Sequence, residues 1–239
     1  DPLTAGIAGA TWSSGGNMNT GRSSVLPSQG GTQTAAMAAG GGLPTSSSTS
    51  AEQYNGSAWT EVNAVNTGRQ AGGGAGTSTA TLIFGGNGPV LITESFDGTN
   101  WTEVGDLNTA PAATTRGTGT QTAAIRVGGY PVVNVTETWN GSSWTEVAEL
   151  NTARGAGGAA GTSTLGLAFR LGTNEGWNGT SWTELNNLGV SREGISGCGT
   201  QTSAVGFGGS PGPSAKGTAT EEFSAAGVTD TIKNEGQVY

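Results

Sequence analysis

Along Thr122-Ala-Ala-Ile125-Arg-Val127, apolar residues alternate with small or polar ones up to Gly128-Gly129, and Val135-Thr-Glu137-Thr-Trp139 alternates again before Asn140-Gly141. Alternation of period two, bounded by turn residues, reads as short strands. Asn-Gly accepts the positive φ of a tight turn, so Glu137-Thr-Trp139 is expected to fold back as a hairpin onto Trp144-Thr-Glu146-Val147. The glycine- and alanine-rich stretch Arg154 to Gly161 supplies a fourth strand, returning through Thr162-Ser163-Thr164 onto Leu165 to Phe169.

The same pattern recurs along the chain. Trp12, Trp59, Trp101, Trp144 and Trp182 stand 38 to 47 residues apart, and all but the first sit in the phrase Asn/Asp-Gly-x-x-Trp-Thr-Glu. Gly-Thr-(Gln/Ser)-Thr begins at Gly31, Gly76, Gly119, Gly161 and Gly199. A glycine pair falls at 41-42, 85-86, 128-129 and 208-209, weakened to Leu171-Gly172 in the fourth unit. Four strands in about 43 residues is the repeat of a propeller blade, whereas a solenoid would show a shorter period. The sequence therefore predicts an all-β chain, a five-bladed β-propeller with four antiparallel strands per blade. The last unit ends at Glu221-Glu222-Phe223 without a tryptophan strand, and Ala10-Thr11-Trp12 has no blade of its own. The N-terminal strand is thus expected to close the last blade, leaving no free edge. The propeller is expected to span residues 1–227, with 228–239 a tail or linker.

Composition sharpens this picture. Of 239 residues 45 are glycine, and the inner-strand runs around Arg69 to Gly76 and Arg154 to Gly161 place small residues where five strands are expected to converge on an axis. Cys198 stands at the position of Ala75 and Ala160, so it is expected to be a small buried group. A formal charge of -8 denies the chain a phosphate-tracking surface, so no nucleic-acid partner is expected. With no histidine and one cysteine, zinc sites, Ser-His-Asp and Cys-His nucleophiles and disulfide frameworks are all absent. No apolar run approaches the ~20 residues of a membrane span, so no membrane insertion is expected.

The glycine pair ending the second strand, the aromatic on the third (Tyr54, Phe96, Trp139, Trp177, Phe223) and the tryptophan on the fourth resemble the kelch repeat. The resemblance covers residues 10 to 227, departing from kelch in the sparse apolar content of the first strand. The phrases Gly-Gly-Asn-Met-Asn-Thr-Gly-Arg (15–22), Leu-Asn-Thr-Ala-Arg (150–154) and Thr-Glu-Glu-Phe (220–223) are similar to propeller modules of structural and tail proteins of marine bacteriophages. That resemblance implies a virion component, at the phage tail or surface or otherwise extracellular, with other virion proteins and a host-surface glycan as partners. A free lectin-like propeller and a purely structural spacer stay open beside it, as does a homo-oligomer.

Strand order puts the Thr-x-Thr turns and Asn-Gly hairpins on one face. The connections after the glycine pairs share the other face with the Asn-Thr-Ala-Arg linkers. Only the second face varies in length, from Thr173-Asn174 in the fourth unit to Ser210–Thr220 in the fifth, and such variation is where repeat proteins place recognition. Arg69, Asn87, Tyr130 and Arg154 are the candidate ligand-binding residues. The recurring arginines and the recurring Glu52, Glu94, Glu137, Glu175 and Glu221 also suit a structural hydrogen-bonding role. No pair of carboxylates stands out at one cleft, so no enzyme is expected, nor any cofactor or metal.

Overall fold

The computed structural model describes residues 14–88, 90–110, 116–155, 157–211 and 217–225, and among these all regular structure is β. Five small antiparallel sheets form a propeller ring. Blade 1 is β1 (Leu26–Pro27), β2 (Ala36–Ala39), β3 (Ala51–Tyr54) and β4 (Trp59–Val62). Blade 2 is β5 (Gly73–Thr77), β6 (Ala80–Phe84), β7 (Thr93–Phe96) and β8 (Trp101–Val104). Blade 3 is β9 (Arg116–Gly119), β10 (Ala124–Val127), β11 (Thr136–Trp139) and β12 (Trp144–Glu146). Blade 4 is β13 (Gly158–Gly161), β14 (Gly166–Arg170), β15 (Thr173–Trp177) and β16 (Trp182–Leu185). Blade 5 has three strands among the described residues, β17 (Ser196–Gly199), β18 (Ser203–Phe207) and β19 (Thr220–Ser224). The expected closing strand around Trp12 and the tail 228–239 lie outside the described residues.

The hairpins form for the reason their sequence suggests. Asn55, Asp97, Asn140 and Asn178 each accept, through Oδ1, the N–H groups two and three residues on, which closes the turn between third and fourth strands. Third-strand aromatics then pair with the outer tryptophans. Ring centroids are 5.2 Å apart for Tyr54 and Trp59, 4.9 Å for Phe96 and Trp101, 5.5 Å for Trp139 and Trp144, and 5.3 Å for Trp177 and Trp182. Each of the last three outer tryptophans is buried against the preceding blade, and the core is a chain of inter-blade clusters.

Glycine on the inner strands has a more local cause than convergence on the axis. The rings of Phe84 and Phe169, on second strands, lie flat over Gly73 and Gly158 of their own blades and over Gly117 and Gly197 of the next. A Cβ at Gly117 would sit 2.3 Å from Phe84 Cζ, and one at Gly197 2.3 Å from Phe169 Cζ, so any side chain there collides with a packed ring. Blade 1 makes the opposite choice, with the bulky Leu26 on the inner strand opposite Ala39. The axis itself is not filled: it holds a cavity of about 420 Å³.

Cys198 is exposed, not buried as its match to Ala75 and Ala160 predicts. The cause lies where blade 5 faces blade 1. β17 packs against β13 of blade 4 but not closely against β1, so this side of β17 is left open, and Phe207, in the position of Phe84 and Phe169, finds no glycine there because the aligned residue of blade 1 is Pro27. Phe207 stays 43% exposed and borders the axial cavity together with Cys198.

The tryptophan contacts also explain one imperfection. Trp144 Nε1 donates to Thr93 Oγ1 at 2.9 Å and Trp182 Nε1 to Thr136 Oγ1 at 3.0 Å, in each case the first residue of the preceding blade's third strand. Blade 1 has Ala51 at that position, and Trp101 Nε1 is buried with no hydrogen-bond partner among the described residues. Ala51→Thr should restore the missing acceptor and stabilise the protein by about 0.5–1.5 kcal/mol. A urea melt would check it, and a lower midpoint would mean that blade 1 has no room for the hydroxyl.

Candidate functional site

Sequential antiparallel order within every blade puts the first and third turns of each sheet on one face. The second turns and the inter-blade linkers lie on the other. The first face is built of near-identical turns. The second is supported by a repeated ionic staple, and the staple decides which side chains are free for ligands.

In blade 2, both carboxylate oxygens of Glu94 are taken. Asn66 N and Nδ2 donate to Oε2 at 2.7 and 2.9 Å, and Thr67 N (3.2 Å) and Arg69 Nη1 (2.8 Å) donate to Oε1. Glu175 repeats this arrangement with Asn151, Thr152 and Arg154, and Glu52 with Asn19, Thr20 and Arg22. Glu221 pairs with Arg192 and accepts from Gly189 N and Val190 N. The glutamates of blades 1 to 4 are buried, so they form a hydrogen-bonded girdle inside the protein and not a solvated ring.

Blade 3 reaches the same end by another route. Glu137 accepts from Asn108 and Thr109, but the linker carries Pro111-Ala112 where the others carry arginine. Its guanidinium comes from Arg126 on β10, directly across the ladder from Glu137, with Nη1 3.6 Å from Oε1. The other blades place Ala38, Ile83, Ala168 and Gly206 opposite their glutamates. A charged residue between Ile125 and Val127 was the sequence signal for this swap, and the reading of the linker arginines alone missed it.

The four candidate residues therefore separate into two kinds. Arg69 and Arg154 are buried with their guanidinium groups committed to Glu94 and Glu175. Burial lowers the pKa of both, and the neighbouring glutamate pulls each back up. Asn87 is exposed, its backbone N–H held by Gln70 O at 2.8 Å, and Tyr130 is 61% exposed. The structure brings Asn87 and Tyr130 to the same face in adjacent blades, while the two arginines lie beneath that face as support.

Exposure also picks out residues that the sequence reading passed over. Of the six large hydrophobic side chains that are exposed among the described residues, Tyr130, Val132, Leu171, Val190 and Phe207 belong to this variable face, and Leu165 to the turn face. They form a path across blades 3 to 5. Gly155 lies between Val132 and Arg170, and Leu171 N donates to Arg192 O at 3.0 Å, next to Val190. The connection in blade 4 is Leu171-Gly172, both with positive φ (50° and 85°), while the expected connecting residues Thr173-Asn174 belong to β15. The tight turn thrusts Leu171 outward. Arg170, its side chain largely buried, is paired with the exposed Glu193 at 2.8 Å beneath the centre of this path.

No family model matches the chain, and no curated protein matches it. Among the described residues, no three His, Cys, Asp or Glu side chains converge as a metal ion would require.

Proposed function

We propose that this chain is a non-enzymatic, kelch-like recognition module at a phage virion surface, holding a polar target such as a cell-envelope glycan on the variable face of blades 2 to 5. The observation that carries this reading is the concentration of exposed apolar side chains on one face of an otherwise regular ring. Tyr130 offers an amphipathic ring to the C–H face of a sugar, and Asn87 offers donors to its hydroxyl groups. The virion context rests on the resemblance of residues 15–22, 150–154 and 220–223 to phage modules. Weak single sites would gain through the many copies a virion carries.

The same reading includes closure of the ring by the N-terminal strand. Asn174 has the place in blade 4 that Thr93 and Thr136 have in blades 2 and 3, and its Oδ1 is buried without a hydrogen-bond partner among the described residues. It borders a pocket lined by Phe169, Leu188 and Phe223. A tryptophan strand paired to β19 would set an indole N–H on that oxygen, and Trp12 is the tryptophan the chain has left for it.

The test of recognition is a triple variant, Tyr130→Ser, Val132→Ser and Leu171→Asn. Exposed substitutions of this kind should move stability by no more than about 0.5 kcal/mol each. Binding to a glycan array, or adsorption of multivalent protein to envelope preparations, should fall by roughly tenfold or more. Unchanged binding by the folded variant would remove the variable face from consideration and leave a structural spacer.

A further inference from the structure

The chain has seven arginines, and six of them are in ion pairs with glutamate. The seventh is Arg116. It stands at the first residue of β9, at the variable-face end of the ring, and lines the axial cavity of about 420 Å³. The cavity takes its walls from blade 1 around β1, from Ala71 just before β5, from β9 and β13, and from β17 and Phe207 of blade 5, with Ser24, Gln29, Ser196 and Cys198 among the polar groups. Among the described residues, no carboxylate lines it. Arg116 Nε donates to Gly157 O at 2.8 Å, which fixes the guanidinium plane, and the two terminal nitrogens donate to no acceptor among the described residues. Burial lowers its pKa, and no acidic neighbour offsets that cost as one does for Arg69 and Arg154.

A desolvated guanidinium costs free energy unless an anion meets it, and its terminal edge presents two parallel N–H donors at the spacing of a carboxylate or phosphate. For Arg22, Arg69, Arg126, Arg154 and Arg192 that cost is met by a glutamate of the same blade, and for Arg170 by Glu193 at the start of the next. Here the two terminal nitrogens face the cavity and stay open to what enters it, water or an anion. We propose that the axial cavity binds a small oxyanion, a carboxylate or a phosphate group, end-on to Nη1 and Nη2 of Arg116. The cavity is large enough for a monosaccharide acid and has one cationic group, so it takes one such group at a time.

The test uses sodium phosphate and sodium glucuronate, with glucose and sodium chloride at matched ionic strength as controls. Isothermal titration should show saturable binding of at least one oxyanion with millimolar affinity, and none of glucose. Cys198, the sole cysteine, reports the place: bound anion should slow its alkylation by iodoacetamide roughly threefold or more. Arg116→Gln should weaken binding at least tenfold, and Arg116→Lys, which keeps the charge but not the fork, should fall between. Preference for phosphate identifies a free inorganic anion, and preference for glucuronate an acidic sugar. Absence of saturable binding in the native protein, or equal binding by a folded Arg116→Gln variant, overturns the proposal. Either result leaves the surface recognition of Tyr130 and Leu171 to its own experiment.

Discussion

Replacing Glu94 with alanine will lower the unfolding free energy by about 3–5 kcal/mol, the cost of stranding a buried charge. Glu94 is wholly buried and accepts four hydrogen bonds, two of them from the backbone N–H groups of Asn66 and Thr67 and one from the guanidinium of Arg69. Its removal leaves Arg69 without a countercharge and two backbone donors without an acceptor. The pair itself is a poor source of net stability, because burying two ions costs nearly what their attraction returns. The double variant Glu94→Leu with Arg69→Met should therefore recover a large part of the loss, limited by the donors of Asn66 and Thr67. Urea titration of the single and double variants checks both statements. A loss below about 1 kcal/mol in the single variant would mean that water reaches the staple.

Trp144→Ala should cost about 3–5 kcal/mol, the usual range for emptying a large aromatic site. Its ring packs edge-on against Phe84 with centroids 4.8 Å apart, and its N–H bridges to Thr93 of the preceding blade. The substitution thus opens a seam between blades 2 and 3, beyond leaving a void in one sheet. Trp12→Ala supplies the comparison that matters for closure. If residues near Trp12 complete blade 5 against Asn174, the two alanine variants should lose similar amounts, and both should unfold cooperatively. A silent Trp12→Ala beside a costly Trp144→Ala would refute closure by that strand.

Strands, turns and blade count were legible because each is written locally. Alternation over four residues marks a strand, and Asn140-Gly141 marks the hairpin that follows. The roles of Arg69 and Arg154 were half legible. The same sequence that offers them as ligand forks also repeats one glutamate per unit, 25 residues after Arg69 and 21 after Arg154, and that matching count was the sign that they serve the blade. Arg126 was hidden because its function follows from a neighbour's absence in another strand. Cys198 was misread since alignment assigns it the environment of Ala75 and Ala160, while its exposure follows from the open packing between blades 5 and 1. Tyr130 was found from its loop, but Leu171 and Val190 were not, because exposure of an apolar residue is a property of assembled loops.

The ionic staple has a bearing on how such a chain came to be. Asn66, Thr67 and Arg69 precede the Glu94 they serve by 25 to 28 residues, and Asn66 Nδ2 also reaches Trp101 O in the last strand of the same blade. Donors and acceptor thus lie on one continuous stretch, from linker to outer strand. Copying that stretch in tandem reproduces every partner of the buried carboxylate, while the exposed connection after the glycine pair is free to diverge in each copy. The structural repeat thus begins at the linker, so the segment between two blades belongs to the blade that follows it.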